Sequence, residues 1–268
     1  MTETPHIFDE FPFTEDIGLR HRKRMNLEPL IFDILKNKYF KTLKGSFQSY
    51  KCPEASDSAV CIFEGRVHAN LEFLVYNVAY FAPQWKILIF CSDVNRKWLE
   101  EVLGSQKSQV EFREIFQGSS DRVKGRDEYN TLLRSKELYD SIPQEYLLFL
   151  ETDCYIRKPL PQLWKDYDFC ACPAAWDEAQ LVGGASYRRN SAMKKICDSY
   201  MSDTWAHDIF MNEATLALTM KRPTFEQSLE WFTESCLYED PIVVHQWWTF
   251  FSQGDDAEVF HSLLRLQV

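Results

Sequence analysis

Glu151, Thr152 and Asp153 follow an unbroken apolar run, Tyr146 to Leu150, and of all residues in this 268-residue chain they are the best placed to do chemistry. Two carboxylates two positions apart at a strand end can point to the same side. Together they offer the hard oxygen ligands that suit Mg2+ or Mn2+. An ion held there would bridge two phosphate groups and neutralise a departing diphosphate. In open α/β sheets, ligands bind beyond the carboxyl ends of the strands, which is where this triplet falls. The competing reading is an ordinary acidic loop.

Three other features carry polar or ring chemistry. Gly183 and Gly184, in Val182-Gly-Gly-Ala-Ser-Tyr-Arg188, either let the backbone approach a bulky ligand or form a simple turn before a strand. Asp208, in His207-Asp-Ile-Phe210, lies in a loop opening an apolar helical segment, where it either caps the helix or takes a proton from a hydroxyl. Trp176, Trp247 and Trp248 offer flat faces to a sugar ring, with core packing as the alternative for each.

The elements that must position these residues alternate along the chain. Residues 1–57 form an amino-terminal extension with a basic cluster, Arg20 to Arg24, a helical pattern from Glu28 to Leu43, and a polar linker around Pro53. Strands are predicted at Ala59–Glu64, Lys86–Cys91, Val110–Phe116 and Tyr146–Leu150. Helices are predicted between them at Ala69–Phe81, Asn95–Leu103 and Arg126–Ile142. Continuous apolar strands joined by helices imply a parallel sheet covered on both faces, a Rossmann-like α/β half. The second half has shorter strand-like runs at Asp168–Cys172 and Gly184–Tyr187, and helices at Ser191–Met201 and Phe225–Thr233. The economical division is one mixed α/β domain over 58–268, with a nucleotide-binding half at 58–155 and an acceptor half at 156–268.

Bulk composition excludes several classes. An apolar content of 45% fills a sizeable core, which excludes a disordered chain. A net charge of −10 disfavours nucleic acid as the main partner. The eight cysteines form no Cys-x-x-Cys pair and read as reduced, mostly buried thiols of a cytoplasmic protein, although their even count leaves disulfides open. Met1 to Asp16 lacks the layout of a signal peptide, and no apolar run reaches the roughly 20 residues of a membrane span. These features predict a soluble protein.

In order and spacing, the motifs resemble those of GT-A-type glycosyltransferases, in particular small glycosyltransferase-like proteins of large DNA viruses and bacteria. The resemblance covers roughly residues 59 to 250. It rests on Phe73–Tyr80, on Tyr129-Asn-Thr-Leu-Leu-Arg-Ser135, on the Leu-Glu-Thr-Asp strand end and on the Tyr167-Asp-Phe strand. Gly-Gly-Ala-Ser-Tyr-Arg, His-Asp-Ile-Phe and Val244-His-Gln-Trp247 complete it. It implies a single GT-A-like domain, a nucleotide-sugar donor (a UDP-sugar first), Mn2+ or Mg2+, and a glycan or glycoprotein acceptor. Asp153 matches the metal-binding aspartate of the Asp-x-Asp motif. Glu151 replaces that motif's first aspartate, leaving metal, ribose or metal-bound water as its contact. His245 matches a histidine that completes the metal shell, with a buried structural histidine as the rival reading. Asp208 falls where inverting enzymes keep their base, here preceded by His207 rather than an acid. Asn130 and Arg134 match positions near the nucleotide, and Glu64, Arg66, His68, Ser92 and Asp93, after the first two strands, are placed to read base and ribose. The rivals are a nucleotidyltransferase, disfavoured by the glycine-poor Glu64-Gly-Arg-Val-His68, and a catalytically silent carbohydrate-binding protein.

Overall fold

The computed structural model describes residues 17–116, 122–204, 206–236, 238 and 240–249. The amino-terminal segment read for a signal peptide lies outside them, as do most side chains of the basic cluster at 20–24. In chain order the elements are α1 (Ile17–Phe47), β1 (Ser58–Phe63), α2 (Leu71–Phe81), β2 (Lys86–Cys91), α3 (Asp93–Leu103) and β3 (Glu111–Glu114). Then come α4 (Arg122–Leu133), α5 (Lys136–Ser141), β4 (Tyr146–Leu150), β5 (Cys154–Ile156), β6 (Phe169–Ala174) and β7 (Asp177–Arg189). The described chain closes with α6 (Asn190–Ser199), α7 (His207–Ala217), α8 (Phe225–Trp231), β8 (Phe232–Thr233) and β9 (Val243–His245).

The main sheet runs β3-β2-β1-β4-β7-β6. Its first four strands are parallel, and β7 and β6 are antiparallel additions. The mixed, mainly parallel α/β class expected from sequence is therefore present, with β3 to β4 as its Rossmann-like half. The alternation of side chains explains why the central strands are apolar throughout. Val60 and Ile62 of β1 join a core with α1, α2 and α3, while Ala59, Cys61 and Phe63 join a second core with α5, α6 and α7. A small second sheet, β5-β9-β8, continues from the end of β4.

Two helices differ from their sequence patterns for identifiable reasons. The helix expected over 126–142 breaks at Ser135, whose extended backbone and side-chain oxygen cap α5 by accepting the Leu138 N–H at 3.3 Å. Conversely, α1 runs well beyond 28–43 and through Pro29, because Leu27, Ile31 and Leu35 keep one continuous buried face across the proline. That face is joined to the far end of the chain. Phe32 meets the rings of Phe73, Tyr155 and Trp248 edge-on at 5.8, 6.3 and 6.2 Å. Trp247 and Trp248 are thus core residues, the core-packing reading of each; Trp176 stays partly exposed. Among the described residues, no helix is long and apolar enough to cross a membrane, and all eight cysteines are free thiols.

Phe32→Ala should lower stability by about 3–5 kcal/mol through the cavity it leaves. Urea unfolding should show this as a lower midpoint at unchanged m-value.

Candidate metal and donor site

Strand pairing assembles the site. β4 ends at Leu150, and the chain turns through Glu151–Asp153, with the Cys154 N–H donating to the Glu151 carbonyl at 3.1 Å. β5 then pairs antiparallel with β9, setting Cys154 opposite His245. This register brings the His245 Nε2 to 3.3 Å from the Asp153 Oδ1. On the other edge of the ring, Nδ1 lies 3.2 Å from the Oε2 of Glu234, a residue just beyond β8. Asp153, Glu234 and His245 are all buried.

Neither ring nitrogen makes a hydrogen bond among the described residues, although each has a carboxylate oxygen in ion-pair reach. The oxygens therefore lie off the ring N–H directions. Two ligands of one cation stand in this relation. With metal–ligand bonds of about 2.1 Å, adjacent ligands are about 3.0–3.4 Å apart. Burial would lower the His245 pKa, but Glu234, Cys154 and Asp153 outweigh it and hold the ring well above the usual histidine range. An entering cation would have to displace that proton. The residues present fit a divalent ion: Asp153, Cys154 and His245, all buried, each place one donor atom within 4.8 Å of the other two.

β7 makes room for this arrangement. A Cβ on Gly184 would stand 2.6 Å from the Glu151 carboxyl carbon and 2.9 Å from the His245 Nε2. A Cβ on Gly183 would collide with the Glu234 carboxylate, and that residue has φ +109°, a conformation suited to glycine. The glycine pair lies within a strand rather than in a turn before one, which corrects that alternative. Its close approach is to the site's own side chains. The imidazole lies along the pair, with Nδ1 toward Gly183 and Nε2 toward Gly184. Glu151 consequently belongs to the Nε2 side.

Tyr129 donates its hydroxyl to the Glu151 Oε1 at 2.8 Å. Burial and the Glu151 charge raise the Tyr129 pKa well above its ordinary value, so the phenol stays a donor. The Tyr129 ring meets His207 edge-on at 5.2 Å. His207 is anchored by Asn130, whose Oδ1 accepts the His207 backbone N–H at 2.8 Å and faces Nδ1 at 3.0 Å. Arg134 donates to the Asn130 and Thr204 carbonyls. Asn130 and Arg134 thus tie α4 to the start of α7 and stand behind Tyr129. Burial, then the charges of Arg188, Arg134 and His245, lower the His207 pKa well below its ordinary value. Asp208 lies inside the first turn of α7 rather than in a loop before it, and its Oδ1 accepts the Ile209 N–H at 2.8 Å. The cap position belongs to Ala206, which has no capping side chain.

Beside Asp153, the end of β1 contributes a second polar group. Glu64 accepts from the Arg66 backbone N–H and from its Nε and second guanidinium nitrogen, each at 2.8 Å. Thr152 Oγ1 donates to the Glu64 Oε2 at 3.3 Å, joining this loop to the acidic triplet. Ser92 braces the loop through the Gly65 carbonyl at 2.7 Å and caps α3, whose first residue, Asp93, is exposed. His68 turns instead toward α1, with Nε2 3.6 Å from Glu28.

The structure therefore groups Glu151, Thr152, Asp153, Gly183, Gly184 and His245 with Glu64 and Arg66. Asn130 and Arg134 act as braces, Ser92 is a helix cap, and His68 faces away. Sequence reasoning missed Glu234 and the bond from Tyr129 to Glu151. Glu234 has no spacing relation to the triplet or to His245, so only the fold reveals it.

Residues 111–245 match the family model described as "Protein of unknown function (DUF5672)", and the chain belongs to that family. The match contains Glu151, Asp153, both glycines, Glu234 and His245. No curated protein matches the chain. Among solved structures, it is similar to apo mouse xyloside xylosyltransferase 1, at 9% identity and TM-score 0.44, covering 70% of this chain and 97% of that one. It is also similar to a cytidylyltransferase from Leptospira borgpetersenii serovar Hardjo-bovis (strain JB197), at 12% identity and TM-score 0.40, covering 63% of this chain and 75% of that one.

Two outcomes are expected. Gly184→Ala should displace Glu151 and His245, costing about 1–3 kcal/mol by overpacking and lowering the urea midpoint. His207 has a folded-state pKa below its unfolded value of about 6.5. Its contribution is therefore complete above pH 6.5 and is lost as pH falls, at up to about 1.4 kcal/mol per unit. Urea unfolding from pH 7 to 5 should show a shallower decline for His207→Gln than for the wild type.

Proposed function

We propose that the chain is a metal-dependent glycosyltransferase. It would move a sugar from a nucleoside-diphosphate sugar, a UDP-sugar first among candidates, to a hydroxyl of a glycan or glycoprotein, with inversion at the anomeric carbon. The observation that carries this reading is the corner beyond β4, where Asp153 and Glu151 meet the Nε2 side of His245 beside the Glu64–Arg66 loop.

Asp153, His245 Nε2 and Glu151 would hold Mn2+ or Mg2+, which when bound supplies positive charge to the leaving diphosphate. Tyr129 orients Glu151 by donating to one of its oxygens. Glu64 is the natural acceptor for ribose hydroxyls, being fixed by Arg66 and Thr152. The Arg66 side chain is half exposed and brings a cation to the donor's side of the sheet. Asp208, partly exposed at the start of α7, is the proposed base that takes the acceptor's proton as its oxygen attacks. Trp176, on the turn between β6 and β7, offers the remaining aromatic face to an acceptor sugar.

A panel of nucleotide sugars with Mn2+ and an acceptor glycan tests the reading. Donor consumption should require the metal and vanish with EDTA. Asp153→Asn should abolish metal-dependent turnover, and Asp208→Asn should lower kcat by about 10²–10⁴ with donor affinity kept. Full turnover by Asp208→Asn would remove it as the base, and a product with the donor's anomeric configuration would exclude inversion. Pyrophosphate release from a nucleoside triphosphate and a sugar phosphate would mark a nucleotidyltransferase instead. Metal-independent glycan binding without turnover would mark a silent binding protein.

A further inference from the structure

The edge of His245 that faces away from the proposed donor metal has its own set of ligand atoms. Cys172 of β6, Glu234 and His245 each place one donor atom within 4.8 Å of the other two, and all three residues are buried. It shares His245 with the other cluster, which is Asp153, Cys154 and His245. The two carboxylates divide the ring between them: Asp153 lies at Nε2 and Glu234 at Nδ1. The Gly183 and Gly184 contacts fix the same division, with Glu234 at one glycine and Glu151 at the next.

On the Nδ1 side, two buried polar atoms lack hydrogen bonds among the described residues: the Glu234 Oε2 and the His245 Nδ1. They stand 3.2 Å apart with the oxygen off the N–H direction, the relation expected of adjacent ligands on one ion rather than of a hydrogen bond. The third member is a sulfur. A thiolate, an imidazole and one carboxylate form a borderline donor set, suited to Zn2+ or Co2+ and poorly suited to Mg2+.

We propose that Cys172, Glu234 and the Nδ1 of His245 form a second cation position, for a Zn2+-class ion, on the opposite edge of the imidazole from the donor-metal corner. Binding releases the Cys172 thiol proton and frees Nδ1 of its proton. Because a neutral imidazole has one lone pair, an ion at Nδ1 leaves the remaining proton on Nε2 and opposes an ion there. The position stands on its own geometry, and its ion would compete with one on the Nε2 side for the same imidazole.

Titration of the chelator-treated full chain with Co2+ tests the proposal. A thiolate-to-cobalt charge-transfer band should appear in the near ultraviolet. It should be lost in Cys172→Ser and kept in both Cys154→Ser and Asp153→Asn. Absence of the band, its loss in Cys154→Ser, or its loss in Asp153→Asn would overturn the assignment. Zinc X-ray absorption on the wild type reads the site without any variant. A sulfur shell at about 2.3 Å is expected, and a shell of nitrogen and oxygen only would contradict the proposal. Mn2+-dependent donor turnover is measured separately, so a failure of that activity leaves these outcomes intact.

Discussion

One imidazole between two buried carboxylates is the constraint around which this half of the molecule is arranged. Removing Asp153, Glu234 and His245 from water together costs several kcal/mol per ion unless their charges are matched. Even a protonated His245 leaves the group short of positive charge, and Glu151 at the Nε2 edge adds to the deficit. A divalent cation resolves the imbalance more completely than a proton does. The chain places a glycine with φ +109° within a strand to seat this cluster.

The fold meets that constraint by bringing together segments distant in sequence. The parallel strands β1 and β4 end side by side, which lets Thr152 reach Glu64. The small sheet returns β9 alongside β5 and delivers His245 to Asp153, ninety-odd residues away along the chain. Behind the site, Asn130, His207 and Tyr129 form a relay of contacts from α7 to Glu151, so the position of Asp208 is coupled to the acidic triplet through packed side chains. The arrangement has the form of a positioned acidic site, with its base candidate on a helix braced by the same residues.

Much of this was legible before the fold was known. Periodicity located β2 and β4 to the residue, because strands buried on both faces read as unbroken apolar runs. Asp153 stands out in sequence only as a carboxylate at a strand end, a common acidic-loop position; the fold buries it beside His245. Glu234 was not legible, since it follows a two-residue strand and becomes a partner only through the pairing of β8 with β9. An aromatic pair looks the same in sequence whether it lines a groove or, like Trp248, fills the space under Phe32. The glycine pair suggests a close approach or a turn from sequence alone; in the fold it makes room for Glu151, Glu234 and His245.

The proposed site holds a divalent cation on the Nε2 side of His245. Anomalous diffraction at the manganese edge, from crystals soaked in MnCl2 and UDP, tests it most directly. The expected result is a single strong peak about 2.0–2.3 Å from both an Asp153 oxygen and the His245 Nε2, with diphosphate oxygens on its open side. A soaked crystal containing UDP but no anomalous peak at these two atoms, or a peak on the Glu64 loop instead, would contradict it.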